Sequence, residues 1–190
     1  MRLSQRHLKK PRKILAWLAL ATMGAGVGSG AGGIGSAWCA PAPVPQLPAP
    51  SRHVTIARYL EGRLEQRRVR WSDDQISRAV DAVEVCSRIY GYEPEFILGL
   101  VEQESGYRPA VLAKDGSVGL VQIKPSTARA ICRVNGWIVP PPQALHDPGV
   151  NITLGIAYLA YLEKTLGSRE MALAGYNMGE FAVQRKFAET

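Results

Sequence analysis

Residues 98–109 of the chain read LGLVEQESGYRP, an apolar run that ends in two glutamates, Glu102 and Glu104. Wound as a helix from Pro94, at about 100° per residue, the segment has one apolar stripe, formed by Phe96, Ile97, Leu100 and Val101. Glu104 falls within this stripe, whereas Glu102 points to the opposite side and is expected to be solvated. A carboxyl group on an apolar face responds by raising its pKa. The sequence therefore predicts a proton donor at Glu104, unless the stripe simply ends in solvent there.

The first 37 residues have the pattern of a secretory signal peptide. Residues 2–13 include six basic residues and no acidic residue, and residues 14–27, ILAWLALATMGAGV, are apolar. Small residues at Gly35-Ser36-Ala37 are typical of a cleavage site. A retained transmembrane anchor is the alternative, because the uncharged span 14–34 is long enough to cross a bilayer. We therefore expect export to a Gram-negative periplasm, with membrane attachment only if the segment is retained.

Most of the net charge of +7 belongs to this leader. Six of the 23 basic residues lie in the first 13, which leaves 17 basic against 16 acidic residues in the rest of the chain. A nucleic-acid partner is therefore not predicted. The three histidines, His7, His53 and His146, are scattered and match no metal-ligand spacing. Neither a metal nor another cofactor is predicted.

Residues 38–70 are predicted to be a linker and residues 71–190 the folded domain. Residues 40–50, APAPVPQLPAP, contain five prolines, which is typical of an extended spacer. Residues 51–70 are arginine-rich, and a short helix here has no obvious docking surface. Ser72 and Gln75 then form a capping box for a helix that starts at Asp73. Gly91 is placed to end that helix, and Pro94 to begin the next.

The remaining patterns are helical apart from one segment. Helices are predicted at residues 94–105 and 126–133, from Asp147-Pro148 to Gly167, and after a capping Ser168. Residues 113–125, AKDGSVGLVQIKP, are rich in turn signals and predict a small wing. We therefore expect an all-α domain with one turn-rich wing. Two cysteines of the domain, Cys86 and Cys132, either pair in an oxidising compartment or remain buried thiols.

Four short motifs occur in a fixed order within this domain. They are Glu104-Ser105, Gly119-Leu120-Val121-Gln122, Asn151-Ile152 with Gly155, and Ala174-Gly175-Tyr176-Asn177. Together they resemble the catalytic domain of the soluble lytic transglycosylase (SLT) family, over roughly residues 73–187. This resemblance implies a lysozyme-like helical fold, of the α+β lysozyme class. The chain departs from the usual family pattern with Val121 in place of methionine and Gly175 in place of alanine.

The resemblance also implies roles for individual residues. Glu104 would act as general acid and then as base, Gln122 and its loop would line the sugar cleft, and Tyr176 would hydrogen-bond the catalytic carboxyl. Ser105 and Asn177 would help to shape the same site. The residues alone leave a structural role open for each of the four supporting residues. Ser105 could end a helix, Gln122 could be a surface side chain, Tyr176 a core aromatic and Asn177 a helix cap.

The expected activity is that of a peptidoglycan lytic transglycosylase. Such an enzyme cleaves the β-1,4 bond between N-acetylmuramic acid and N-acetylglucosamine and leaves 1,6-anhydro-muramoyl ends. Its partners would be glycan strands, with an envelope secretion or conjugation machine as a further partner. The alternatives are a goose-type lysozyme and a non-catalytic wall-binding subunit.

Hydrolysis by a lysozyme mechanism would need a second carboxylate. Glu102 faces away from Glu104, and Asp147 is expected to cap a helix. Glu163 and Glu170 occupy positions predicted to be solvated. Asp115, in a predicted turn near the cleft, is therefore the one candidate that the sequence offers.

Overall fold

The computed structural model describes residues 51–188, so the predicted signal peptide and the proline-rich segment 40–50 lie outside the described residues. The described part is helical, as predicted. Its elements are α1 (Arg52–Arg67), α2 (Asp73–Tyr90), α3 (Pro94–Ser105), α4 (Pro125–Val134), a short 3-10 helix (Pro142–His146), α5 (Pro148–Leu166), α6 (Arg169–Met178) and α7 (Glu180–Ala188). Two isolated β-bridges join Leu112 to Val118 and Val118 to Ile123. They form the predicted wing, and no β-strand occurs within residues 51–188.

The predicted helix ends are confirmed by their caps. Both bonds of the capping box between Ser72 and Gln75 are present at the start of α2. Gly91 ends this helix in the left-handed conformation, with φ of 72°. Asp147 begins α5, where its side chain accepts a hydrogen bond of 2.9 Å from the amide of Val150. These ends were predictable because each depends on residues within four positions.

Helix α5 is the centre of the domain and packs against α2, α4 and α6. Residues on several of its faces are buried, including Ile152, Leu154, Ile156, Leu159 and Leu162. A helix that is apolar on all sides is normally surrounded by other elements. Because α5 occupies this position, its first turns can hold the wing and its middle can hold α6.

Helix α1 corrects the part of the linker prediction that falls on residues 51–70, whereas residues 38–50 lie outside the described residues. Ile56, Leu60 and Leu64 recur every fourth residue of α1, and all three are buried in the core. This narrow apolar stripe docks the helix on α2 and α3 despite the surrounding arginines. Residues 52–67 therefore belong to the folded domain.

Helix α7 has no counterpart in the sequence prediction, whose last helix was the one capped by Ser168. The chain turns there with φ of 92°, and a new helix begins at Glu180. Val183 is completely buried and fixes α7 to the domain. With so little apolar periodicity, this helix depends on tertiary packing more than on a local pattern.

The two cysteines of the domain are separate, buried thiols in the structure. Burial raises the pKa of Cys86 to about 11. The structure therefore agrees with the buried-thiol alternative and not with a bridge.

Candidate active site

Glu104 lies in the last turn of α3, on its buried face. The helix buries Ile97, Leu100 and Val101 on this face. Glu104 follows them and is only 9% exposed. Gly106 ends the helix in the left-handed conformation, and its amide donates a 2.9 Å hydrogen bond to the carbonyl of Glu102. The prediction that Glu104 points at the core is therefore confirmed.

The prediction that Glu102 is solvated is wrong. The Glu102 side chain does point away from the face of Glu104. Helix α1 covers that side of α3, however, so the Glu102 side chain is only 13% exposed. The guanidinium of Arg63 donates from Nε to Oε2 over 3.0 Å, and that of Arg67 donates from Nε to Oε1 over 2.9 Å. Burial by itself would raise the pKa of Glu102, but the hydrogen bonds from the two arginines outweigh it and hold the pKa below its usual value.

The turn that contains Gln122 is held by the first turn of α5. Asn151 is fully buried, and its Oδ1 accepts a 2.9 Å hydrogen bond from the amide of Val121. Its Nδ2 donates to the carbonyls of Val118 at 3.1 Å and Leu145 at 2.7 Å. Gly119 passes so close that a Cβ atom there would lie 2.3 Å from Asn151 Nδ2. One asparagine thus satisfies three main-chain groups of the wing and its neighbouring 3-10 helix.

Tyr176 of α6 joins this turn to the neighbourhood of Glu104. Its hydroxyl donates a 2.9 Å hydrogen bond to the carbonyl of Val121, the residue before Gln122. Burial, assisted by the nearby charge of Glu104, raises the pKa of Tyr176 well above its usual value. The structure therefore brings together Glu104, the Gln122 turn and Tyr176.

This hydrogen bond refines the role that the resemblance implied for Tyr176. A phenol has one proton to donate, and Val121 receives it. A hydrogen bond between Tyr176 and the carboxyl of Glu104 therefore needs a protonated carboxyl as its donor. The arrangement of Tyr176 and Glu104 is therefore suited to a Glu104 carboxyl that is protonated before the reaction.

The other three predicted site residues make local hydrogen bonds. Gln122, at φ of 51°, donates from Nε2 to the carbonyl of Gly119 at 2.8 Å. Ser105 is buried and donates to the carbonyl of Val101, one turn earlier, at 3.1 Å. Asn177 is exposed and donates to the carbonyl of Leu173 at 2.9 Å. Each of these bonds shapes a turn or a helix end, and a contact with substrate stays a prediction for all three.

Two residues that support the site were named in the motifs but given no role. Asn151 is one of them. The sequence signal that could have indicated its role was a polar residue at the start of an otherwise apolar helix. Gly155 is the other, because a Cβ atom there would lie 2.1 Å from Val121 Cγ2 and 2.8 Å from the hydroxyl oxygen of Tyr176. Its signal was a glycine in the middle of a helix, where it is normally unfavourable.

Most of the carboxylates considered as a second catalytic group have other partners. Asp115 accepts a 3.2 Å hydrogen bond from the amide of Ser117 and lies 3.8 Å from the Lys124 ammonium. Asp147 caps α5, as predicted. Glu163 was expected to be solvated, but it accepts a 2.5 Å hydrogen bond from the hydroxyl of Tyr92 and is only partly exposed.

A groove of about 500 Å³ lies elsewhere, between α2 and α5 and beside the exposed Trp137 and Ile138. Glu104, Gln122 and Tyr176 do not line it. Within residues 51–188, no three His, Cys, Asp or Glu side chains are grouped as metal ligands would be. None of the helices in this described part is both long and apolar enough to span a membrane.

Comparison with known proteins assigns the chain to a class. The model of the transglycosylase SLT domain family matches residues 81–190, so the chain belongs to this family. A relative named endo-type membrane-bound lytic murein transglycosylase A, from Klebsiella pneumoniae, is 45% identical over 76 residues, which are 39% of this chain and 37% of the relative. A membrane-bound lytic murein transglycosylase C from Actinobacillus pleuropneumoniae is 37% identical over 108 residues, or 52% of this chain and 30% of the relative.

The fold has a solved counterpart in the 70 kDa soluble lytic transglycosylase of Escherichia coli. The two superpose with a TM-score of 0.53 at 22% identity, over 70% of this chain and 24% of that one. This likeness confirms the lysozyme-like helical fold that the resemblance implied. The chain spans well under half the length of each of these relatives.

Proposed function

We propose that this chain is a peptidoglycan lytic transglycosylase. It cleaves the β-1,4 bond between N-acetylmuramic acid and N-acetylglucosamine and leaves a 1,6-anhydro-muramoyl end. The observation that carries the proposal is the position of Glu104, a buried carboxyl in the last turn of α3, close enough to Tyr176 for its charge to raise the pKa of that phenol. Membership of the SLT family and the names of the murein-cleaving relatives support it.

Glu104 acts first as general acid. An apolar setting favours the protonated form of a carboxyl, which is the form that can protonate the glycosidic oxygen. The bond between C1 of the muramoyl residue and that oxygen then breaks, and the proton leaves with the N-acetylglucosamine hydroxyl. Tyr176 supports the state before this step, because its own proton is engaged by Val121 and its oxygen can accept from the protonated carboxyl until the glycosidic oxygen takes that proton.

Glu104 acts next as general base. The 6-hydroxyl of the same muramoyl residue attacks C1, and its proton passes to the Glu104 carboxylate. A new C1–O6 bond replaces the broken bond, no water is consumed, and the enzyme returns to its protonated state. Proximity favours this internal hydroxyl because it is already attached to the reacting sugar.

The other carboxylates support a mechanism that uses one glutamate. Glu102 is paired with two arginines on the far side of α3, and Asp115 is engaged in its own turn. Asp147 caps α5, and Glu163 accepts from Tyr92. A two-carboxylate hydrolysis would need one of them across the sugar bond from Glu104.

The glycan strands of peptidoglycan are the proposed substrate and the periplasm the proposed location. The basic and apolar leader within residues 1–37 supports export. Association with an envelope secretion or conjugation machine has no support among the described residues and stays a prediction.

The test is digestion of purified cell-wall sacculi by the full-length protein and by its Glu104→Gln variant. The variant should lose at least about 10²-fold in rate, since general acid catalysis is commonly worth 10²–10⁴. Glu95→Gln is a matched control, because Glu95 is exposed on the same helix. A wild-type protein that binds sacculi without releasing fragments would favour the wall-binding alternative.

A further inference from the structure

The C-terminal half of α1 is tied to the helix that carries Glu104. Arg63 and Arg67 lie one turn apart on α1, and both donate hydrogen bonds to the carboxylate of Glu102 on α3. Each arginine uses its Nε and a terminal nitrogen, and each takes a different oxygen of the carboxylate. We call these three residues the α1 brace. Both carboxylate oxygens are thereby occupied by charge-assisted hydrogen bonds, which are stronger than neutral ones.

A second set of contacts fixes the chain immediately after α3. Tyr107 is completely buried and adopts φ of 63°, a conformation that residues with a side chain rarely take. Its hydroxyl donates to the carbonyl of Leu98 at 3.1 Å and lies 3.5 Å from Glu102 Oε2. Its own carbonyl accepts a 2.8 Å hydrogen bond from Trp71 Nε1. The segment that flanks Glu104 is therefore held on both sides along the chain.

The location of the brace matters because helix ends are loose. The last turn of a helix lacks onward hydrogen-bond partners for its carbonyl groups and frays readily. Glu104 lies in that turn, two residues after Glu102, and approaches its substrate from the other face of α3. A brace on Glu102 holds the main chain of the turn without occupying the face that Glu104 uses.

We propose that Arg63 and Arg67 are positioning residues for Glu104 and act through Glu102. An exposed ion pair would contribute little, but the Glu102 side chain is only 13% exposed and Arg63 only 28%. Arg63 and Arg67 precede the residues 81–190 that match the family model, whereas Glu102 lies within them. This inference rests on the proposed function of Glu104.

The test compares the double variant Arg63→Ala/Arg67→Ala with wild type as full-length proteins, well below the melting temperature of the less stable one. The turnover number kcat on sacculi or soluble glycan strands should fall about tenfold, because displacing a catalytic group by 1 Å can cost about 10². KM should change by less than about twofold, since the brace does not touch the cleft. A variant with lysines at both positions, Arg63→Lys/Arg67→Lys, should recover most of the loss by keeping the charges.

Hydrogen exchange gives a readout that does not depend on activity. The amide of Gly106, which donates the last hydrogen bond of α3, should exchange faster in the double alanine variant than in wild type. Arg58→Ala is the control, because Arg58 is exposed on the same helix and should change neither measurement.

The outcomes separate this inference from the proposed function. Unchanged kcat in the double alanine variant, with active wild type and inactive Glu104→Gln, overturns the positioning role and leaves the function standing. Equal falls in kcat and in the folded fraction overturn it as well, since the residues would then only stabilise the fold. If wild type itself is inactive, the proposed function fails, and unchanged exchange at Gly106 would then reject the brace independently.

Discussion

Tyr176 donates its hydroxyl proton to the main-chain carbonyl of Val121, 2.9 Å away, and so connects α6 to the turn that carries Gln122. Gly155 makes this contact possible, because any side chain there would collide with both partners. The charge of Glu104 also contributes to the raised pKa of Tyr176. The phenol is therefore the point at which three parts of the chain, far apart in sequence, meet.

Replacing Tyr176 with phenylalanine should lower both activity and stability. The carbonyl of Val121 loses its donor, and an unsatisfied buried acceptor costs about 1–3 kcal/mol. We expect kcat to fall by about 10–10²-fold, because the Gln122 turn and Glu104 lose their common partner. Urea unfolding and digestion of sacculi measure the two effects. Tyr161→Phe is the control, since Tyr161 is partly exposed and stacks on Tyr158 at 6.4 Å; equal behaviour of the two variants would contradict the role of the hydroxyl.

The parts of this site differ in how far the sequence predicts them. The buried face of Glu104 follows from helical periodicity, and the ends of α2, α3 and α5 follow from caps within four residues. Arg63 and Glu102 are 39 residues apart, and nothing local indicates that α1 would cover the outer side of α3. A charge opposite an apolar stripe is normally solvated, so tertiary docking overrode the local expectation for Glu102.

Tyr176 and Val121 illustrate a second kind of limit. They are 55 residues apart, and only a resemblance to known motifs placed them in one site. The direction of their hydrogen bond depends on the side-chain orientation and on the close approach at Gly155. Periodicity and composition carry no information about either.

Gly155→Ala should be destabilising. The new Cβ would lie 2.1 Å from Val121 Cγ2 and 2.8 Å from the Tyr176 hydroxyl oxygen, in a core where neither can withdraw freely. Overpacking of this kind costs about 1–3 kcal/mol, against a helix-propensity gain of about 1 kcal/mol. Gly99→Ala is the matched control, because Gly99 is helical and meets nothing within 4 Å. Thermal unfolding should show a lower Tm for Gly155→Ala and an equal or higher Tm for Gly99→Ala; the reverse order would refute the close approach.

Asn151→Ala should destabilise the wing without removing any group proposed to act chemically. The substitution leaves the amide of Val121 and the carbonyls of Val118 and Leu145 without their side-chain partner. Because all three bonds are buried, we expect a loss of roughly 3 kcal/mol or more in the free energy of unfolding. Asn135→Ala, at the exposed end of α4, removes one bond to Ile131 and should cost far less. Similar losses in the two variants would mean that Asn151 does not organise the turn.

The α1 brace predicts that the stability of the protein depends on pH. The pKa of Glu102 is lowered in the folded state. The contribution of this carboxylate to stability is therefore complete above the unfolded pKa, near 4.5, and disappears as pH falls through the folded pKa. The free energy of unfolding of wild type should exceed that of Glu102→Gln by roughly 1–2 kcal/mol at pH 7, with the share of the half-exposed Arg67 reduced by solvent. This difference should shrink as the pH falls below 4.5 and should disappear once the pH is below the lowered folded pKa, where wild type is also neutral at this position. A difference that stays constant with pH would show that the carboxylate charge is not what binds α1.

The products should be 1,6-anhydro-muramoyl fragments, and Glu180 is the residue that most directly tests this expectation. Hydrolysis needs a second carboxylate about 5–9.5 Å from the first. Glu180 begins α7, and its charge adds to the burial that raises the pKa of Tyr158, whose ring centroid lies 5.3 Å from that of Tyr176. It is thus an acidic group on the aromatic side of the site, where the sequence had offered only Asp115.

Mass spectrometry of digested glycan strands distinguishes the two chemistries, because a hydrolysed muramoyl end is heavier by one water than an anhydro end. We expect anhydro ends from wild type, from Glu180→Gln and from Asp115→Asn. Any change in rate for Glu180→Gln should leave this product unchanged, because the substrate's own 6-hydroxyl supplies the nucleophile. Hydrated ends from wild type that decline selectively in Glu180→Gln would instead assign water activation to Glu180 and make the enzyme a lysozyme-type hydrolase. If they declined in Asp115→Asn, the turn aspartate would take that role despite its bond to Ser117.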